Sequence, residues 1–135
     1  MIMVDQVEAV DGLRTKTSFL VTPECLFVSE GRFSEMGMLE NLAQTSFVFL
    51  NYFFITPGKP LWEKEKNNLG VISTILELDV IFLPCVGDRL STCTETELVF
   101  TSDFFKICNI QGWVSVNGQR ALTATMKMLL QTADQ

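Results

Sequence analysis

The chain has 135 residues, of which 47% are hydrophobic and 19% charged, and its formal net charge is −6. This length and apolar content favour one domain, spanning residues 1–135, that can bury a hydrophobic core, and they exclude a disordered chain. The excess of acidic residues argues against nucleic acid as a partner. The sequence contains no histidine. That absence excludes His-based acid–base catalysis, Ser-His and Cys-His nucleophiles, and His-ligated metals.

The cysteines show no C-x-x-C spacing, so neither a zinc site nor a thioredoxin-like motif is predicted. Each lies in an apolar or alternating segment, which favours reduced, buried thiols over disulfides. The four residues are Cys25, Cys85, Cys93 and Cys108. The N-terminus reaches Asp5 without a basic region and does not match a signal peptide. The apolar stretch at residues 47–55 is far shorter than the ~20 residues of a membrane helix, so we expect a cytoplasmic protein without a membrane partner.

Two short segments at the start of the chain are typical of β-strands. Residues 4–10 are predicted to form the first, and Asp11-Gly12 gives a tight-turn signal. In residues 13–21, basic side chains alternate with apolar residues and threonines. This alternation predicts a second strand with one face in water.

A long helix is predicted to follow Ser34, a residue type preferred at the N-cap, with the acidic Glu35 in its first turn. Apolar residues then recur at helical spacing for about five turns, until Thr56-Pro57-Gly58 interrupts the pattern. These residues are Met36, Leu39, Leu42, Ala43, Phe47, Leu50, Phe53 and Phe54. Since its other faces are also largely apolar, the helix should be enclosed by other elements. One polar strip interrupts the apolar surface: Glu40, Asn41, Gln44 and Thr45.

The second half of the chain alternates with a period of two, which is typical of antiparallel strands. After a predicted loop at residues 59–68, four long strands are predicted at residues 69–82, 90–100, 104–116 and 120–130. In the first of them, one face is predicted to hold Ile72, Leu76, Leu78, Val80 and Phe82. Asn117-Gly118 is the strongest hairpin signal. The prediction is an α+β domain with one long central helix wrapped by a curved antiparallel sheet of about five to six strands.

This architecture is that of the hot-dog fold, and four segments resemble the 3-hydroxyacyl-(acyl carrier protein) dehydratases of fatty-acid synthesis. MVDQVEAVDG (residues 3–12) resembles the opening strand of that family. GRFSEMGMLENLAQTS (31–46) resembles its Gly-His-Phe-Pro turn and the helix with Glu-Ala-Leu-Ala-Gln. FLPCVGDRL (82–90) resembles its Pro-x-x-Pro-Gly-Asp-x-Leu turn, and VNGQRALTATMKML (116–129) its closing hairpin. The resemblance covers nearly the whole chain in consistent order and implies the hot-dog fold.

The resemblance also implies an active site at a dimer interface, where a turn histidine of one subunit faces a helix acid of the other. At the matching positions this chain has Arg32 in place of the histidine and Glu40 as the acid. Arginine keeps its proton at any working pH, so it can hold an anion or orient a carbonyl but cannot remove the α-proton that dehydration requires. The usual dehydratase mechanism is therefore not expected.

The catalytic candidates are Glu40, Arg32 and Gln44. Glu40 would be a carboxylate on a buried helix, which requires either a function or a structural partner such as Arg32. Gln44 lies one turn later and could orient a thioester carbonyl or satisfy backbone groups. Candidate substrate contacts are Phe33, Asn41, Ser73, Thr74 and Ile75; the backbone of Ser73 and Thr74 could donate to the carbonyl oxygen. No metal or cofactor is predicted.

Together these observations predict a homodimer or higher homo-oligomer that binds an acyl thioester carried by acyl carrier protein or coenzyme A. Three functions remain open. The protein could be a dehydratase-like protein with altered chemistry. It could be a thioesterase in which Glu40 activates water or attacks the thioester. It could also be a non-catalytic subunit that pairs with an intact dehydratase.

Overall fold

The computed structural model describes residues 2–11, 14–50 and 68–132, without the side chains of 48–50, 68–70 and 132. In chain order its elements are β1 (Gln6–Asp11), β2 (Arg14–Leu20), β3 (Val28–Ser29), β4 (Arg32–Phe33), α1 (Glu35–Leu50), β5 (Asn68–Val80), β6 (Arg89–Thr101), β7 (Phe105–Val116) and β8 (Gln119–Thr132). Six strands form one antiparallel sheet in the order β1-β2-β6-β7-β8-β5, and α1 packs against one face of it. We call this the inner face.

The predicted α+β architecture is confirmed, and its long strands lie within a few residues of their expected positions. The hairpin predicted at Asn117-Gly118 is also confirmed, since β7 and β8 join there with positive φ angles of 52° and 79°. A second tight hairpin, β3–β4, was not predicted. Glu30 and Gly31 form its turn with φ angles of 53° and 78°. A mirror-image turn of this kind requires positive φ at both central residues, which glycine adopts without steric cost.

Helix α1 begins where the sequence predicts. The backbone N–H of Gly37 donates to Ser34 Oγ at 3.1 Å, so Ser34 is the N-cap. The predicted end of the helix near Phe54, and the polar loop that follows it, lie outside the described residues. At β7 the helix approaches the sheet closely. The measure of this approach is that a Cβ atom added to Gly112 would lie only 2.5 Å from Leu42 Cδ2.

The inner face of the sheet is divided into an apolar part and a hydroxyl-rich part. On β7 and β8 it presents buried apolar side chains, namely Cys108, Ile110, Val114, Leu122, Ala124, Met126 and Met128. On β2 and β6 it presents buried threonines, namely Thr15, Thr17, Thr92, Thr94 and Thr96. Burying a hydroxyl is unfavourable unless it is hydrogen-bonded. The helix supplies polar partners to two of these five threonines, Thr17 and Thr92.

Strand β5 is the last strand of the sheet and departs from regular alternation. Register shifts place Ser73 and Leu76 in bulges, each adding a residue that has no partner on β8. Ile72, Leu78 and Val80 lie opposite inner-face residues of β8 and so share one face, as predicted, but the prediction is wrong for Leu76, which lies in the second bulge. Leu76 and Leu78 are 50% and 42% exposed, whereas Ile72 and Phe82 pack against the core.

The four cysteines are free thiols with different exposures. Cys25 and Cys108 are buried and Cys93 is half-buried, but Cys85 is exposed, contrary to the expected burial. Desolvation by burial raises the pKa of the Cys93 and Cys108 thiols above the ordinary value. Both are therefore protonated at neutral pH and weak as nucleophiles. Among the residues described, no helix has the length and apolar character needed to cross a membrane.

Substituting Gly112→Ala tests the close approach of helix and sheet. The added methyl group would lie 2.5 Å from Leu42 Cδ2 and 3.1 Å from the Cys93 carbonyl oxygen, so the buried Leu42 side chain, or the helix that carries it, must shift. We expect the free energy of unfolding to fall by about 1–3 kcal/mol in urea denaturation. The control is Gln119→Ala, at an exposed position on the neighbouring strand β8, which should change the free energy of unfolding by no more than about 0.5 kcal/mol. Unchanged stability of Gly112→Ala would contradict this packing.

Candidate functional site

The polar strip of α1 holds the N-terminal segment through the backbone of one residue. Asn41 Nδ2 donates to the Met3 carbonyl oxygen at 2.6 Å, and the Met3 backbone N–H donates to Gln44 Oε1 at 2.6 Å. Both Met3 and Asn41 are fully buried. Two side-chain amides thus satisfy both backbone groups of Met3, as a neighbouring β-strand would.

Asn41 also connects the helix to the hydroxyl-rich part of the sheet. Thr92 Oγ1 donates to Asn41 Oδ1 at 2.5 Å, and Thr45 Oγ1 donates to the Asn41 carbonyl at 2.8 Å. Because Thr45 has a single hydroxyl proton, Thr17 must be the donor in the 2.7 Å bond between their Oγ1 atoms. Further along these strands, three buried hydroxyls have no hydrogen-bond partner among the described residues: Thr15, Thr94 and Thr96.

Glu40 lies on the same strip and is half-buried. Gln44 Nε2 is 3.4 Å from Glu40 Oε2, while Gln44 Oε1 accepts from Met3. The bond to Met3 fixes which end of the Gln44 amide carries the donor, so the NH₂ group is directed at Glu40. At this length the hydrogen bond is weak, and its contribution is to orient the carboxylate. In the part of the chain that the structure describes, the ion pair present is Arg14–Glu95, and it does not involve Glu40.

Arg32 lies in β4, in the hairpin that leads into the helix, and its side chain is exposed. Its backbone pairs with Ser29 and with Cys85, which fixes the hairpin against the turn before β6. Within the described ranges of one chain, Arg32 and Glu40 form no ion pair. The intrachain alternative for Arg32 is therefore not observed, and its role in holding an anion or a carbonyl stays a prediction.

The candidate substrate contacts fall in two environments. Phe33 and Asn41 are fully buried, and the Phe33 ring lies 6.1 Å from that of Phe19 in the core. Ser73, Thr74 and Ile75 are exposed on β5, at the end of the sheet. Ser73 lies in a bulge and its Oγ is 3.4 Å from the Lys127 carbonyl oxygen. One chain thus presents these groups on separate elements, and their contact with substrate stays a prediction.

Two further features of the structure, both outside the predicted site residues, are absent from the sequence prediction. One is the role of Met3, which no local pattern indicates because the bonds span about forty residues of sequence (38 and 41 positions). The other is a cleft of about 380 Å³ on the outer face of the sheet, opposite the helix. Its lining includes Glu77, Asp79, Gln111, Trp113, Arg120 and Thr123. The Arg120 guanidinium lies 4.4 Å from the centre of the Trp113 ring. The alternation of β7 and β8 could have placed these residues on one face, but only the strand order brings β5 beside them.

The acidic side chains and thiols that the structure describes do not form a metal site. No group of three or more Cys, Asp or Glu side chains within the described ranges is placed to bind an ion. The chemistry available at the polar strip is therefore that of the Glu40 carboxylate and the Gln44 amide, with the exposed Arg32 guanidinium on a neighbouring element.

No protein-family model and no curated protein sequence matches this chain. Solved structures do. A chain of the dehydratase heterocomplex ApeI:P from Xenorhabdus doucetiae is 15% identical, with a TM-score of 0.67, over 99% of this chain and 84% of that one. A phenylacetic acid degradation-related protein from Ralstonia eutropha JMP134 is 16% identical, with a TM-score of 0.64, over 91% of this chain and 82% of that one.

A hypothetical thioesterase with coenzyme A from Streptococcus pneumoniae TIGR4 is also similar. It is 13% identical, with a TM-score of 0.61, over 96% of this chain and 90% of that one. These neighbours are hot-dog proteins, so the hot-dog fold predicted from the sequence is confirmed. At such low identities the similarity establishes the fold and no more than the fold.

Substituting Asn41→Ala tests whether this residue connects the helix, the N-terminal segment and the sheet. It removes the partners of the Met3 carbonyl and the Thr92 hydroxyl, both in the interior. Since a buried unpaired group costs about 1–3 kcal/mol, we expect the free energy of unfolding to fall by about 3 kcal/mol. Met36→Ala, on the exposed side of the same helix, should change it by no more than about 0.5 kcal/mol. The result would contradict the assignment if both variants unfolded at the same urea concentration.

Proposed function

We propose that the protein binds an acyl thioester beside Glu40, and that a second copy joined along β5 completes the site. The observation that carries this proposal is the state of Glu40. Its carboxylate is half-buried on a largely buried helix, is oriented by Gln44, and has no ion-pair partner among the residues described. A carboxylate held in this way is available for a substrate.

The open edge of β5 supports the proposal that a second copy pairs with this strand. One side of this strand has no neighbour in the described sheet, and large apolar side chains are exposed along it. They are Val71, Ile75, Leu76, Leu78 and Ile81, each between 40% and 54% exposed. An open strand edge with exposed apolar residues readily pairs with another chain, and identical chains most often pair about a two-fold axis. Such pairing would cover these side chains and bring Ser73–Ile75 to the interface.

The chemistry that Glu40 supports without histidine is hydrolysis of the thioester. Glu40 takes a proton from water, and the resulting hydroxide attacks the carbonyl carbon. The carbon–sulfur bond then breaks, the thiolate leaves and takes up the proton, and the products are a carboxylic acid and a free thiol. Arg32 would hold the carbonyl or an anionic part of the carrier, since it cannot exchange protons. The carrier would be coenzyme A or acyl carrier protein, both cytoplasmic thiols.

Substituting Glu40→Gln tests this reaction. The amide keeps the shape of the side chain but cannot accept the proton, so release of free coenzyme A from acyl-CoA should fall by about 100-fold or more. Chromatographic quantification of coenzyme A avoids interference from the protein's own thiols. Binding of a non-hydrolysable acyl-CoA thioether, followed by calorimetry, should change little.

The matched control is Glu35→Gln, at an exposed acid in the first turn of the same helix. It should hydrolyse at the wild-type rate. Wild-type hydrolysis no faster than buffer would reject the thioesterase reaction, and failure of the wild type to bind the thioether would reject the site itself.

A second function, a non-catalytic subunit of a dehydratase, is favoured by a separate pair of observations. The sequence has no histidine, so it cannot supply the base of the dehydratases that it resembles. It is also similar over 99% of its length to a chain of a dehydratase heterocomplex. In this function the chain would pair through β5 with a histidine-bearing homologue and supply Glu40 to the shared site.

Co-expression with a tagged, histidine-bearing hot-dog dehydratase from the same source tests this second function. We expect the two chains to purify together in equal amounts and to form the enoyl thioester from a 3-hydroxyacyl thioester. Glu40→Gln should lower that activity while the complex persists. If the chain stays with its own copies when the homologue is present, this function is rejected.

A further inference from the structure

The outer face of the sheet carries charged and apolar side chains in a self-complementary arrangement, so that two copies of this face can pack against each other. Residues directly opposite each other on antiparallel strands project to the same side of a sheet. The strand register therefore defines rows of neighbouring side chains that cross the outer face from β2 to β5. Strand β7 lies at the centre of these rows, with β6 and β2 on one side and β8 and β5 on the other.

The first row is apolar across four strands. It consists of Phe100 on β6, Ile107 on β7, Leu129 on β8 and Val71 on β5. Phe100 and Val71 are 49% and 40% exposed, and the ring of Phe100 lies 5.5 Å from that of Phe105. A continuous exposed apolar patch of this kind is typical of an interaction surface.

The next row carries opposite charges on the two sides of β7. Glu97 on β6 is opposite Asn109, and Asn109 is opposite Lys127 on β8. Neither Glu97 nor Lys127 takes part in an ion pair within the described part of the chain. Both charges are thus available to a partner.

Two further rows also carry opposite charges on the two sides of β7, here on the outer strands β2 and β5. In one, Gln111 on β7 lies between Arg14 on β2 and Glu77 on β5, and Arg14 forms its ion pair with Glu95 of β6 in the same row. In the other, Trp113 lies between Lys16 on β2 and Asp79 on β5. Three pairs of positions at equal distances from β7 thus carry opposite charges. The exception is Glu95 on β6, whose counterpart on β8 is the uncharged Thr125, and it is paired with Arg14. The two outer rows also border the cleft on this face.

We propose that a second copy of the chain packs on this face, about a two-fold axis that runs parallel to β7. That rotation exchanges the two sides of the sheet, so Glu97 of each copy faces Lys127 of the other. Side chains on β7, such as Ile107 and Gln111, lie at the axis and face their own equivalents. Two sheets packed in this way lie about 10 Å apart, so the side chains of the facing rows interdigitate.

The charge pattern identifies the occupant as a copy of this chain. A partner with a uniformly acidic or basic surface would meet like charges on one side of β7, whereas the rotated copy meets opposite charges on both. The pairs at β6 and β8 are close to the axis and make contact. The β2–β5 pair formed by Lys16 and Asp79 is further apart, and its attraction acts over about 10 Å at 0.1 M salt. The pair formed by Arg14 and Glu77 contributes less, because Glu95 already balances the Arg14 charge. The apolar row and Trp113 provide the area removed from water.

Val71 belongs to both surfaces, but the proposal is independent of the proposed function because it requires neither Glu40 nor pairing along the open edge of β5. Its first test is the mass of the full-length assembly, measured by sedimentation equilibrium. Glu97→Lys and Lys127→Glu should each halve that mass, because each places two like charges together. The double variant, Glu97→Lys with Lys127→Glu, should restore the wild-type mass, because exchange across the axis restores both pairs.

A residue at the axis gives a second signature. Gln111 is exposed and faces its own equivalent, so Gln111→Lys and Gln111→Glu should both halve the assembly mass. A different protein docked here would instead tolerate one sign of charge and reject the other. Glu24→Lys, exposed in the turn after β2, is the control and should leave the mass unchanged. Far-ultraviolet circular dichroism identifies any variant that fails to fold.

The mass halves from four copies to two if the chains also join along β5, and from two to one if they do not. Failure of the β5 interface therefore leaves this test intact. The proposal is overturned if the wild type is a monomer or if the folded single variants keep the wild-type mass. It is also overturned if the folded double variant stays at half mass.

Discussion

The side-chain amide of Asn41 is the interaction on which the arrangement of the site depends. It is fully buried, and it bonds the Met3 backbone on one side and Thr92 of the sheet on the other. In a low-dielectric interior these hydrogen bonds are strong, and leaving them unmade is costly. They fix the rotation of the helix about its own axis. Because successive residues of a helix are about 100° apart, burying Asn41 leaves Glu40 turned away from the sheet, where it is half-buried.

The threonines of β2 and β6 explain why the helix has a polar strip at all. A wholly apolar helix could not satisfy the hydroxyls of Thr17 and Thr92, which bond Thr45 and Asn41. On the other side of the sheet centre, Gly112 allows Leu42 to approach closely. The same helix therefore packs tightly on apolar strands and bonds to polar ones. The structural amide Asn41, the bridging amide Gln44 and the candidate functional acid Glu40 lie together for this reason.

Local patterns in the sequence were sufficient to predict the helix, strands and turns, but not the contacts between them. The Ser34 N-cap and the Asn117-Gly118 turn depend on a few neighbouring residues, and both were predicted correctly. The bulge at Leu76 arises from pairing with β8, about fifty residues away, so alternation alone placed this residue on the wrong face. Glu40 was identified through a family resemblance, but its bridge to Met3 through Gln44 depends on contacts between distant segments. Burial of Phe33 in the core was likewise not evident from its position in a turn.

The measurement that tests the account most directly is a crystal structure with a non-hydrolysable acyl-CoA thioether. We expect the atom that replaces the thioester carbonyl, or a water molecule next to it, to lie within hydrogen-bonding distance of Glu40. We also expect Gln44 still to bridge Glu40 and Met3, and β5 of a second copy to border the ligand. Binding of the thioether in the outer-face cleft, with Glu40 covered and away from the ligand, would contradict it.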